Sequence, residues 1–159
     1  MTQRVELATV MDRLAVDGLV TDYAVALDDG DWEAYRKLFT QDGRADYRSA
    51  GGIEGHVRDV AVWLAEQLGP FPMRQHLIVN RRVRFEVLER DVGDTARVQA
   101  DYISPMGRLT DGCAAPELVC GGRCVFTLVR TDDGWRLREV IVREKWRRLP
   151  DRVAAPVIN

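Results

Sequence analysis

Apolar residues in the first third of the chain recur at helical spacing. In VMDRLAVDGLVTDYAVAL they fall at Val10, Leu14, Leu19, Val20, Tyr23 and Leu27, which predicts a first helix with one apolar stripe and a soft spot at Gly18. The stretch LDDGDW closes it. Gly30 suits the left-handed position after a helix, and Asp31 suits the cap of the next. WEAYRKLF then sets Trp32, Tyr35 and Phe39 on one face, and TQDGRADYRS reads as a turn and a short strand. EGHVRDVAVWLAEQLG predicts a third helix, with Val57, Val60, Ala61 and Leu64 together and Gly69-Pro70 as its stop. His56 sits at its start, where a surface or capping role is expected. Beyond that point the period changes to two. Strands are predicted over about 73–89, 95–105, 118–130 and 135–146, separated by the turn signals ERDVGD and RTDDGW. MGRLTDGCAAPE is the longest irregular stretch.

Helices first and long antiparallel strands afterwards define an α+β arrangement. The expected shape is a cone: three N-terminal helices packed on a strongly curved, mainly antiparallel sheet, with a pocket at the open end. The whole chain, 1–159, is expected to be one domain, with 147–159 as a tail or lid. The strands also leave sheet surface to cover, so a homodimer or homotrimer is expected.

Composition narrows the function classes. Lys and Arg total 23 and Asp and Glu 25, a net charge of −2 that leaves no basic footprint for nucleic acid or an anionic membrane. No apolar run approaches the ~20 residues of a membrane span, and the first residues have no secretory apolar stretch, so a cytoplasmic protein is expected. Cys113, Cys120 and Cys124 are an odd number, expected as free thiols. No metal-ligand spacing, phosphate loop or nucleophile elbow is present, and no cofactor is expected.

One stretch stands out chemically. PMRQHLIVNRRVRFEV alternates like a strand yet carries His76, one of only two histidines in the chain. In HLIVN, alternation sets His76, Ile78 and Asn80 on one face and Leu77 and Val79 on the other. Both faces carry apolar groups, so the strand is expected to be covered on both sides, with Asn80 free to donate to a ligand. Trp63, Phe71, Met73, Tyr102, Met106, Phe126 and Trp146 are candidate apolar walls for a small hydrophobic molecule.

YAVALDDGDWEAYRKLFTQDGRADYRS followed by RQHLIVN resembles the SnoaL-like branch of the nuclear-transport-factor-2-like superfamily. The likeness covers nearly the whole chain. It is nearest to dehydratase and dehydrohalogenase members: scytalone dehydratase, hexachlorocyclohexane dehydrochlorinase and bile-acid 7α-dehydratase. The resemblance implies a catalytic pair at Asp28 and His76. Likeness to scytalone dehydratase implies Tyr47 in DYRS as a further site residue, and likeness to the bile-acid enzyme implies Tyr23 and Arg143. Two departures are visible: Leu27 stands where scytalone dehydratase has a second tyrosine, and DYISPMGR lacks that enzyme's second histidine.

The physical chemistry agrees with a pairing. Asp28 falls at a helix C-terminus, where the dipole disfavours a carboxylate and only a good donor justifies it. An imidazole supplies one, and the carboxylate in turn orients it as a general base. The expected activity is elimination of water from a cyclic or polyketide-like substrate. An isomerase or cyclase in the same pocket, a structural small subunit of a ring-hydroxylating dioxygenase and a plain ligand-binding module are the alternatives.

Overall fold

A computed structural model describes residues 2–110, 113–114 and 116–149. The expected tail therefore lies outside the described residues beyond position 149. Helix α1 spans Thr2–Asp29 and begins well before Val10. Its buried stripe is Asp12, Val16, Val20, Tyr23 and Leu27, at steps of three and four. Val10 and Leu14, expected on that stripe, are instead exposed. Asp12 takes the inward place because its carboxylate accepts from Arg130 Nη2 at 2.8 Å and Trp135 Nε1 at 3.0 Å. A carboxylate is tolerated under cover when its lone pairs are filled in this way.

Gly30, with φ of +66°, ends α1 in the left-handed conformation. Asp31 caps α2 (Trp32–Lys37), accepting from the Ala34 N–H at 2.9 Å. His56 caps α3 (Val57–Leu68): its Nδ1 accepts from the Arg58 N–H at 3.1 Å, while Nε2 donates to the Gln41 carbonyl at 2.9 Å. The buried face of α3 is Val57, Val60, Ala61, Leu64 and Leu68, which contains the expected set.

The strands are β1 (Phe39–Asp46), β2 (Glu54–His56), β3 (Met73–Arg74), β4 (Leu77–Val87), β5 (Thr95–Gly107), β6 (Leu109–Thr110), β7 (Cys113–Ala114), β8 (Leu118–Thr131) and β9 (Gly134–Arg148). The main sheet runs β2-β1-β9-β8-β5, and both β3 and β4 lie along the far edge of β5. Among the described residues only β1 and β9 run parallel; the other pairings are antiparallel. β6 and β7 form a separate small hairpin within the stretch expected to be irregular. The sheet curves strongly around the three helices as a half-barrel, the expected cone.

Two breaks in strand regularity matter for the site. The predicted strand over 73–89 is interrupted at Gln75 and His76, so His76 stands in the gap between β3 and β4. A bulge follows between Val79 and Arg82, where Asn80 has φ of +52°. β9 has its own irregularity opposite Gly121 and Gly122, the positions paired with Trp146 and Glu144. Each bulge swaps which side chains face the core. The outer face of β4 is open: Leu77 and Val79 are 43% and 42% exposed, so the strand is not covered on both sides as expected.

Candidate active site

The end of α1 and the gap before β4 meet at a pair of side chains. Asp28 Oδ1 accepts from His76 Nδ1 at 2.7 Å. The same carboxylate takes the His76 backbone N–H, with both oxygens at 2.9 and 3.0 Å. These donors answer the cost of a carboxylate at the negative end of a helix. They also settle the imidazole tautomer. Because a carboxylate only accepts, Nδ1 carries a proton, and in the neutral ring the lone pair is left on Nε2. The pair is sheltered but reachable, with His76 and Asp28 side chains 15% and 23% exposed.

The junction is held by Arg74. Its Nε donates to the Leu27 carbonyl at 2.7 Å, and its Nη1 donates to the carbonyls of Leu68 and Phe71 at 3.1 and 3.0 Å. One guanidinium thus ties the last turn of α1 to the end of α3. It fixes the backbone that carries Asp28 and the segment leading into His76.

His76 lies on the wall of a cavity of about 300 Å³. Opposing surfaces come from α1 (Tyr23, Leu27), α3 (Trp63, Leu64, Leu68) and the inner face of the sheet (Tyr102, Met106, Val142). The wall is mainly apolar with a few hydroxyls and one ion pair, the usual composition of a small-molecule site.

Three buried tyrosines meet at its inner end. Tyr23 and Tyr47 share a short hydroxyl–hydroxyl hydrogen bond, and the Tyr35 hydroxyl lies 3.4 Å from that of Tyr47. Burial pushes all three phenols well above their ordinary range, and the neighbouring hydroxyls mostly reinforce the shift. They therefore stay protonated at neutral pH, with hydrogen atoms to donate. Tyr47 follows β1 directly and opens a 3-10 turn, Arg48–Ala50. That turn is pinned to β9: Ser49 Oγ donates to the Val142 carbonyl at 2.6 Å and accepts from the Glu144 N–H at 2.9 Å. Gly52 completes the approach. The Trp63 ring lies where a side chain at position 52 would stand, so the residue there has none.

Of the expected site residues, the fold brings Asp28 and His76 into contact and gathers His76, Tyr23, Tyr47, Trp63, Phe71, Tyr102 and Met106 on one cavity. Phe126 sits behind it, fully buried and edge-on to Tyr23 with centroids 5.2 Å apart. Four residues are placed elsewhere. Met73 pairs with Gly107 and is not on the wall. Asn80, turned by the bulge, donates to Asp101 Oδ2 at 3.1 Å on the exposed surface. Arg143 is exposed because its neighbours Val142 and Glu144 take the inward direction. Trp146 lies over Gly121 on the outer face and is 46% exposed.

The β9 bulge brings in a different arginine. Arg147 lines the cavity beside Glu144, gripping it with Nε and Nη2 at 2.8 and 2.9 Å, and donates to the Ala50 carbonyl at 3.0 Å. Sequence reasoning missed this pair, together with Ser104, Cys120, Cys124 and the bracing hydroxyl of Tyr35. For Ser104 the signal was present, since alternation from Tyr102 and Met106 puts it on the same face. Cys120 and Cys124 are free and buried, and burial pushes their thiols up to about 11 and about 12. Among the described residues, no three metal-binding side chains converge and no helix is long and apolar enough to cross a membrane.

A curved sheet closed by three helices over one lined hollow defines a cone-shaped α+β protein of the nuclear-transport-factor-2-like class. The model of the SnoaL-like domain matches residues 8–141, and the chain belongs to that family. The family includes dehydratases and isomerases. An uncharacterized protein of Mycobacterium tuberculosis is 35% identical over 131 residues, covering 82% of this chain and 84% of its own. A candidate scytalone dehydratase from Novosphingobium aromaticivorans superposes with a TM-score of 0.71 at 20% identity, over 99% of this chain and 97% of its own. A nuclear transport factor 2-like protein of Salmonella enterica gives 0.65 at 16% identity, over 95% of this chain and 99% of its own. These two superpositions speak for the fold.

Proposed function

We propose that the protein is a lyase of the dehydratase type, acting on a small, hydrophobic, cyclic or polyketide-like substrate. The observation that carries this reading is the Asp28–His76 contact on the wall of an apolar cavity. His76 Nε2 takes a proton from a carbon beside a carbonyl. The Asp28 carboxylate holds the ring in the required tautomer and steadies the imidazolium that results. Tyr47, accepting from Tyr23, donates its hydrogen to the carbonyl oxygen as negative charge builds on it. The electron pair left on carbon forms a double bond, the neighbouring C–O bond breaks, and the proton leaves with the hydroxyl as water.

Every group in that sequence belongs to this chain, and an Asp–His pair facing a hollow favours chemistry over a purely structural subunit. The test is a panel of cyclic β-hydroxy ketones followed by mass spectrometry for loss of water. His76→Ala and Asp28→Asn are expected to keep their circular dichroism spectra and to lose roughly 10²–10⁴ in turnover. Unchanged turnover in both variants ends the reading. A product of unaltered mass points instead to a proton shift by the same base, an isomerase.

A further inference from the structure

We propose that the cavity holds a second polar station, formed by Tyr102 and Ser104, which binds a second oxygen of the substrate. The substrate is then a ring compound with at least two oxygen substituents, one for the Tyr23–Tyr47 hydroxyls and one for this station. The inference rests on the cavity being the substrate site.

Strand register places the station. On β5, Tyr102, Ser104 and Met106 alternate inward and all line the cavity. Leu77 pairs with Ile103 and Arg74 with Met106, which sets His76 beside Ser104 across the β4 edge. On its other side Ser104 pairs with Cys120, and Cys120 pairs with Arg147. One transverse row over the cavity thus runs His76, Ser104, Cys120, Arg147. The adjacent row runs Ile78, Tyr102, Gly122, Glu144.

Within these rows the polar groups divide sharply. Arg147 and Glu144 satisfy one another, and His76 is engaged by Asp28. The Tyr102 hydroxyl and Ser104 Oγ are different. Both residues are deeply buried, at 6% and 1% exposed, and neither hydroxyl has a hydrogen-bond partner among the described residues. A buried hydroxyl without a partner carries a penalty, and native folds rarely leave two side by side. Tyr102 is also the one inward tyrosine outside the Tyr23–Tyr47–Tyr35 cluster. Two orphaned hydroxyls on one strand, facing one hollow and adjacent to the base, fit a ligand oxygen that both can reach. The neutralised Arg147–Glu144 pair beside them leaves no surplus charge, so the oxygen is that of a hydroxyl or carbonyl rather than a carboxylate.

Isothermal titration calorimetry with 1-indanone and its four ring-hydroxylated isomers tests this without turnover. The ketone occupies the first station, and the added hydroxyl samples positions for the second. At least one isomer is expected to bind wild type about tenfold tighter than 1-indanone, since sites built around a hydroxyl discriminate strongly against its absence. That preference is expected to shrink to about threefold or less in Ser104→Ala or Tyr102→Phe, and to vanish in the double variant, with the affinity for 1-indanone unchanged. Equal binding of all isomers by wild type overturns the proposal. So does an unaltered preference in the double variant, or failure of every compound to bind. Asp28→Asn separates this inference from the catalytic reading: it is expected to keep the binding preference while losing turnover. A wild-type preference alongside normal Asp28→Asn turnover removes the dyad alone, and a wild type without preference alongside a dead Asp28→Asn removes the second station alone.

Discussion

On the proposed function, the tyrosine cluster lets a residue removed from the substrate set the strength of one that faces it. Tyr47 lines the cavity, whereas Tyr35 is fully buried behind it and reaches only the Tyr47 hydroxyl. Each hydroxyl that accepts from a neighbour becomes a better donor to whatever lies ahead of it. Tyr47→Phe removes a direct donor and is expected to lower kcat by about 10²–10³. Tyr35→Phe leaves that donor in place and is expected to cost about tenfold or less, with KM little changed. Equal losses in the two variants contradict this order. The gathering of Asp28, His76, Tyr23 and Tyr47 around one cavity was legible because the quoted motifs resemble those of a known family. Tyr35 was not, since a tyrosine on an apolar helical stripe looks the same whether its hydroxyl is idle or engaged.

Among elements, the informative features are places where regularity fails. Counting alternate residues along HLIVN leads to Asn80, and a bulge defeats that count, since one extra residue reverses every side chain beyond it. Arg143 comes from the resemblance alone; it precedes the β9 bulge, and plain alternation from the buried Val140 and Val142 turns it outward. Arg147 is the arginine that β9 delivers to the cavity, three positions beyond Glu144 rather than two. The succession of helices and strands was readable from period alone, because helix and strand spacing differ so plainly. Bulges leave little mark on a hydrophobic pattern. Arg74 belongs to the same scale, as it joins the ends of two helices. Its guanidinium donates to three backbone carbonyls. Arg74→Met is expected to lower unfolding free energy by about 2–4 kcal/mol in urea titration, given the ordinary worth of charged hydrogen bonds. Arg74→Lys is expected to restore less than half of that, since a compact ammonium does not span the separate acceptors. A change below about 0.5 kcal/mol, the range of ordinary surface substitutions, removes the clamp from the account.

For the molecule as a whole, the buried phenols set a limit at high pH. Their folded pKa values lie well above the ordinary value, so below about pH 10 they are neutral in both folded and unfolded chains. Above that the unfolded chain loses protons that the folded one keeps, and stability falls as pH rises. Ionisation followed by ultraviolet absorbance is expected to coincide with loss of circular dichroism. A smooth titration that precedes unfolding refutes it. The outer face of the sheet carries a second expectation. Leu77, Ile103 and Trp146 lie in one row, in register through Gly121, and are each more than two-fifths exposed. Such a row is suited to a two-fold copy of itself. Analytical ultracentrifugation is expected to show a dimer, with Ile103→Lys shifting it to monomer; a monomeric wild type rules the interface out.

The close fit of Trp63 over Gly52 has an evolutionary reading. The indole retreats as far as it does because the backbone opposite carries nothing at all. A single methyl added at that turn would push the ring inward and shorten the list of molecules admitted, while leaving the imidazole and its acid where they are. Position 52 is thus a tuning peg for guest size, felt by the indole first and by Tyr47 behind it, and a new diet is reachable in one mutational step.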